Sequence, residues 1–401
     1  METTGNDSAP QQRLPVLDGL RGIAILGILI MNIQAFARIE RAYVIPNIYE
    51  PMSLADRWWH AFGYFFAEQI FISLLSCLFG VGIWLLAERS KAADLNPVKQ
   101  QRKRSLGLLS IGLVHAYLIW SGDILVAYAI AAWVLAPAIK WQVRTQMQLG
   151  LAFLAVIPVL SLMEMSFVPV EIRRLAYDAD PQAFQTEITA LLGGWWDNQG
   201  WRFERALTSH YLGLPFGTFW FVAGWMLLGM ALYRLGLTSG QWASRRYVLW
   251  LAVLLPVGLL IKALGYIYQA GSDFDPTRTV IGRGVFSYLG AACLCLSLVC
   301  LATLLWRQWP QHRIARFFEA IGKTALSNYL LQSLMATSLF YGFGLGWFQQ
   351  CSFSQLVLVT IGIWACNGVL TLVWLRYFRL GPVEWLWRWQ SRGSAPALLK
   401  R

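Results

Sequence analysis

Charge is scarce in this sequence. Only 13% of its 401 residues are charged, against 57% apolar, and a soluble domain carries roughly 25% charged residues. That deficit excludes a large water-soluble globule. The apolar excess excludes disorder, because disordered chains are poor in apolar residues and rich in charge. Histidine is rarer still, with four in the chain. The six cysteines are Cys77, Cys293, Cys295, Cys300, Cys351 and Cys366. They lack the paired spacing of a zinc site, and all but Cys351 sit in apolar runs. They read as small buried side chains, with no metal and no disulfide framework expected. A Walker-type phosphate loop, a Gly-x-Ser-x-Gly elbow and a His-Glu-x-x-His pair are all absent. Their absence argues against an ATP-driven pump, a serine hydrolase and a zinc protease.

What is abundant points to a bilayer. Aromatics make up 14% of the chain, with 21 Trp, and Trp and Tyr collect where membrane meets water. The formal net charge of +12 would suggest nucleic acid in a soluble protein. Here it reads as loop charge, so no nucleic-acid partner is expected and the lipid bilayer is. Ten stretches are apolar over about the 20 residues a bilayer core requires: 18–36, 64–87, 105–121, 123–139, 148–168, 212–233, 247–269, 283–306, 321–341 and 355–377. The fold class that follows is all-α, a polytopic membrane helical bundle of about ten transmembrane helices. The first run resembles a signal peptide but lacks a small-residue cleavage site and carries Asp18, Arg21 and Asn32, so it reads as a retained helix.

Loop charge predicts the topology. With the N-terminus placed in the cytoplasm, inner segments hold 23 Lys and Arg and outer segments nine, the bias expected for cytoplasmic N- and C-termini. The chain then divides into a disordered polar N-terminus (1–12), helices 1–5 (13–168), an outer-face loop with amphipathic helices (169–211), helices 6–10 (212–392) and a basic tail (393–401). Pro137, Pro158, Pro215 and Pro256 mark kinks. No internal repeat supports an inverted-repeat transporter plan.

Polar residues within spans cost about 2.5 kcal/mol or more each at the membrane centre, so each needs a partner or a task. Depth along the helices puts Asn32, Glu68, Gln69, Asp123, Glu164, Lys262 and Arg283 in the outer half. Asn328 and Gln332, one turn apart, lie near mid-membrane. Their convergence predicts a polar cavity opening outward; the competing reading makes Lys262, Glu164 and Arg283 structural ion pairs. His115 is the one deep histidine, and an imidazole can take and return a proton near neutral pH. Ser121-Gly122 reverses the chain after it, which brings Asp123 within reach to orient the ring. At the inner end Asp18 and Arg21, three apart, can pair on one face. Arg102, Lys103 and Arg104 form a basic run suited to phosphates or to fixing topology.

The run Leu17-Asp18-Gly19-Leu20-Arg21-Gly22 through Asn32 resembles the opening of the YeiB-like bacterial membrane proteins, the domain-of-unknown-function 418 family. Phe71–Gly82, His115–Asp123, Gly322–Ser333 and Gly381-Pro382-Val383-Glu384-Trp385 fit the same family, so the resemblance runs from about 13 to 392. The Asp-x-x-Arg-Gly opening also resembles the wider transmembrane acyltransferase superfamily. That resemblance implies a bacterial inner-membrane enzyme moving an acyl group from cytoplasmic acyl-CoA to an outward-facing hydroxyl or amine on a sugar or envelope glycan. His115, Asp123 and Asn32 would be catalytic. Glu68, Gln69, Asn328, Gln332 and Lys262 would face the acceptor; Asp18, Arg21, Arg102 and Arg104 would hold the donor. Many O-acyltransferases of the superfamily place a histidine fourteen residues after the Asp; here that position is Asn32, which leaves His115 as base. The alternatives are a transporter or lipid- or quinone-binding protein without acyl transfer, and an envelope scaffold. Self-association is left open.

Overall fold

The computed structural model describes residues 14–177 and 180–400; the expected disorder of residues 1–12 lies outside them. Helix forms wherever the sequence is continuously apolar. In chain order the helices are α1 (Pro15–Ala37), α2 (Glu40–Val44), α3 (Leu54–Phe66), α4 (Ile70–Ala92), α5 (Pro97–Val114), α6 (Leu125–Val134), α7 (Val143–Phe167), α8 (Val170–Tyr177) and α9 (Pro181–Leu192). They continue with α10 (Trp195–Thr208), α11 (Phe219–Arg234), α12 (Ser244–Ala270), α13 (Pro276–Ile281), α14 (Tyr288–Gln308), α15 (Arg313–Lys323), α16 (Ala325–Phe340), α17 (Leu356–Tyr377) and α18 (Pro382–Arg392). Among the described residues the extended pairing is one antiparallel bridge between Phe378 and Leu399, which ties the basic tail to the end of α17.

Seven helical stretches among these residues are long and apolar enough to cross a membrane. Helices also occupy the three remaining expected spans, where the sequence departs from a simple apolar rod. The first turns of α5 carry Lys99, Arg102, Lys103 and Arg104; α6 has only 10 residues and α16 only 16. Short helices satisfy their backbone only if their ends are capped or buried in protein, because hydrocarbon offers no partner. For α6, Asp123 supplies the cap, its Oδ2 accepting Val126 N–H at 2.7 Å. Among the described residues three segments widen into π-helix: His115–Ile119, Ser209–Thr218 and Gly282–Ser287. Such widened turns gather at functional sites.

Position in the bundle follows from which helix faces are apolar. The most apolar part of α1 is 72% buried, whereas α7 and α12 are 11% and 17% buried. So α1 runs through the interior, and α7 and α12 turn leucine and valine outward at the lipid. Interior packing is tight at glycine: a Cβ on Gly322 of α15 would lie 1.7 Å from the Asp18 carbonyl oxygen of α1, and one on Gly22 2.0 Å from the Phe318 carbonyl oxygen. The two backbones are in contact there, and only hydrogen fits between them.

Pro158 and Pro256 lie inside α7 and α12, Pro215 in a π-helix and Pro137 in a 3₁₀ turn. The cysteines are all free thiols. Cys77, Cys295 and Cys300 are buried as expected, whereas Cys293 and Cys351 are half-buried and Cys366 lies exposed on α17.

Candidate functional site

His115 opens the π-helical turn after α5, and the chain then reverses through Ser121-Gly122 into α6. Gly112 permits the close approach of the two helices, since a Cβ there would sit 2.8 Å from Val126 N. The result is a direct contact: His115 Nδ1 lies 2.7 Å from Asp123 Oδ1, with both side chains fully buried. The other ring nitrogen, Nε2, lies 2.9 Å from the Ser333 hydroxyl on α16. Carboxylate, imidazole and hydroxyl thus form one buried hydrogen-bonded chain. The Tyr329 ring is 5.1 Å from the imidazole and the Trp120 ring 6.3 Å. On the far side α10 closes the space: Arg202 donates to the Leu118 carbonyl at 2.9 Å and Gln199 to the Tyr117 carbonyl at 2.8 Å. The segment expected as an amphipathic outer-face loop is α8 to α10, and its last helix seals the turn that carries His115.

A second polar group lies elsewhere. Helix α3 ends at Phe66 and α4 begins at Ile70, with Gln69 held at φ 62° in the left-handed region. This break exposes backbone carbonyls, and Lys262 of α12 satisfies two of them, donating to Tyr64 O at 2.5 Å and Glu68 O at 2.9 Å. Arg283, on the Gly282–Ser287 π-helix, pairs through Nε with Glu68 Oε1 at 2.5 Å and donates to the Tyr43 carbonyl. Ser287 donates to Glu68 Oε2 at 3.2 Å. A polar pocket opens beside the ion pair, lined by Gln34, Tyr43, His60, Tyr64, Glu68, Gln269 and Arg283 together with Met31. The Gln69 Oε1 and the Gln269 Nε2 are buried without a hydrogen-bond partner among the described residues.

The expected single cavity is therefore two sites, with α1 between them. At about 100° per residue, Ile25, Leu29, Asn32 and Phe36 form one stripe of α1 and Gly27, Met31 and Gln34 the opposite one. Phe36 stacks on Trp120 at 3.9 Å, and the Ile25 carbonyl accepts from Gln332 at 3.3 Å. Met31 and Gln34 face the Glu68 pocket. Asn32, half-buried, lies one turn before Phe36, on the His115 side but outside its hydrogen-bonded chain.

Two residues expected at the acceptor make inter-helix links. Asn328 donates to Thr324 Oγ1 at 2.8 Å and accepts from Thr371 at 3.1 Å, joining the start of α16 to α17. Gln332 holds α16 against α1. Neither lines the pocket.

At the end of the bundle where α1 starts, Arg21 pairs with Asp18 at 2.5 Å. Arg104 is sandwiched near Trp387 (4.4 Å) and Phe79 (5.4 Å), and its carbonyl accepts from the Trp387 indole at 2.8 Å. Burial, and after it the neighbouring charges of Arg21, Arg388 and Arg89, press its pKa down. Arg102 leaves this cluster: it is exposed and lies over Trp133 at 4.6 Å. The basic run therefore splits, because consecutive helical positions point about 100° apart.

These features define a multi-pass helical membrane protein with a buried Asp–His–Ser chain and a separate buried ion-pair pocket. Residues 232–394 match the family described as Protein of unknown function (DUF418). Over 397 residues the chain is 33% identical to "Uncharacterized protein YeiB" of Escherichia coli (strain K12), covering 97% of this chain and 99% of that one. It is 29% identical to "Uncharacterized protein YxaH" of Bacillus subtilis (strain 168), covering 94% of each. A third relative, from Bacillus acidopullulyticus, is 24% identical over 98% of each chain. The chain belongs to the YeiB-like DUF418 family.

Proposed function

We propose that this protein is an acyltransferase of the bacterial inner membrane, with both termini cytoplasmic. Acyl-CoA is the donor and an outward-facing hydroxyl or amine, on a sugar or envelope glycan, the acceptor. The observation that carries this reading is the buried contact of His115 with Asp123. A carboxylate on Nδ1 fixes the tautomer and stabilises the imidazolium, which leaves Nε2 to take a proton from an attacking hydroxyl. Hydrocarbon surroundings make such a pair costly, so a role in proton transfer accounts for its presence. Arg21 and Arg104, with Arg89 and Arg388 beside them, supply the positive charge a phosphate-bearing donor would need. The excess of Lys and Arg at that end supports its placement in the cytoplasm.

The test is thioester turnover by purified protein with the His115→Ala variant alongside. Release of free CoA by the wild type, reduced about 10²–10⁴-fold in the variant, is the expected result. Full activity in the variant removes His115 from the chemistry.

The Glu68–Arg283 pocket favours a second reading, a binding site for a small polar solute in a carrier. That reading requires a polar solute to raise the melting temperature of the wild type, and not of Glu68→Gln, without any thioester consumption.

A further inference from the structure

Three groups stand in line here: Asp123 Oδ1, His115 and Ser333 Oγ, at 2.7 and 2.9 Å. The carboxylate lies against Nδ1, so that nitrogen carries the proton of a neutral ring and Nε2 presents a lone pair. The group facing that lone pair is the Ser333 hydroxyl. Its competing acceptor, the Tyr329 carbonyl one turn back, is more distant at 3.3 Å. A serine hydroxyl donating to an imidazole that is itself held by a carboxylate is an activated nucleophile, and it is recognised by geometry and not by sequence order. This explains why the absence of a Gly-x-Ser-x-Gly elbow is no bar: Ser333 sits mid-helix, 218 positions after His115.

We propose that Ser333 is the acyl-carrying nucleophile, so that transfer proceeds in two steps through an acyl-serine. This rests on the acyl-transfer reading above. In the first step Ser333 Oγ attacks the thioester carbonyl and its proton passes to His115 Nε2. The C–S bond breaks, His115 returns the proton to the departing CoA sulfur, and an ester on Ser333 remains. In the second step the acceptor hydroxyl attacks that ester and gives its proton to His115. The ester C–O bond breaks and Ser333 recovers its proton. Burial serves this scheme: Ser333 is 1% exposed and His115 wholly buried, so bulk water is kept from the ester. A two-step route also removes the need for donor and acceptor to meet at one moment across the membrane.

The experiment has two arms on full-length protein in detergent. The first treats wild type, Ser333→Ala and His115→Ala with an alkyl fluorophosphonate, a serine-directed probe that needs no natural substrate. Peptide mass spectrometry should find the adduct on Ser333 in the wild type, labelled at least about 10²-fold more slowly in His115→Ala, and none in Ser333→Ala. The second arm supplies acetyl-CoA without acceptor and seeks an acetyl group on Ser333 with release of one CoA per chain. A melting temperature for each variant within a few degrees of wild type separates loss of the nucleophile from loss of the fold. A wild type that consumes thioester with no adduct or acetyl on Ser333, and an active Ser333→Ala, overturns the two-step route while leaving acyl transfer intact. A wild type with neither label nor turnover overturns both.

Discussion

Glu384 closes the N-terminus of α16 from outside that helix: its Oε1 accepts the N–H groups of Leu326 at 2.6 Å and Ser327 at 3.1 Å, and its Oε2 accepts the Ser327 hydroxyl. The Ser327 hydroxyl in turn accepts Val383 N–H at 3.1 Å. A carboxylate there satisfies orphan donors and complements the positive end of the helix dipole. Because Ser333 rides on α16, this cap fixes the height of one half of the His115 site.

Removing the cap should loosen that half. Glu384→Ala is expected to lower stability by about 0.5–2 kcal/mol, the usual cost of a lost helix cap, with Glu384→Gln intermediate. Thermal unfolding in detergent checks this. An unchanged melting temperature for Glu384→Ala would show that α16 is held by packing alone.

Asp123 has two duties, orienting His115 through Oδ1 and capping α6 through Oδ2. On the acyl-transfer proposal, Asp123→Ala should therefore cost both activity and stability. Asp123→Asn keeps an acceptor for Val126 N–H and should hold the melting temperature nearer to wild type while turnover still falls about 10²-fold or more. Equal loss of stability in both variants would contradict the division of roles.

The Glu68–Arg283 pair is buried, so breaking it from one side leaves an uncompensated charge. Arg283→Met should destabilise by about 3–5 kcal/mol. Adding Glu68→Gln to it should restore part of that loss. A double-mutant cycle on urea or thermal unfolding measures the coupling, and strict additivity would mean the charges do not sense each other.

Gly322→Ala places a Cβ against the Asp18 carbonyl. Overpacking typically costs about 1–3 kcal/mol, and the α1–α15 contact has no side chain that can yield. A variant as stable as wild type would mean the helices separate freely.

Glu187 of α9 gives the pH dependence. Its Oε1 accepts Glu40 N–H at 2.9 Å, and burial, aided by the neighbouring Glu40 charge, pushes its carboxyl up to about 7 from 4.5. Between those values the folded chain binds more protons than the unfolded one, so stability falls as pH rises across that window. Wild type should thus gain melting temperature from pH 7.5 to 5 relative to Glu187→Gln. Parallel profiles for the two proteins would refute it.

Much of the architecture was legible because hydrophobic length and helix formation are local. The His115–Asp123 contact was legible for the same reason: a Ser-Gly reversal between residues only eight positions apart leaves little freedom. The partners drawn from afar were not. Nothing in the sequence distinguishes Ser333 from the other hydroxyls of its span until α16 is set against the π turn. Likewise, depth counting put Asn32, Glu68 and Lys262 at similar heights but could not show that Asn32 faces the other side of α1 from the Glu68 pocket. Angle around a helix, not height along it, decides which residues share a space.

That division makes α1 a common wall. Met31 and Gln34 present one side of a stiff rod to the Glu68 pocket, and Phe36 presents the other to Trp120, so any solute that nudges the rod is felt behind it. Linkage then runs both ways: occupancy on one side should alter Trp120 fluorescence on the other, and a wall that never moves would leave that signal flat.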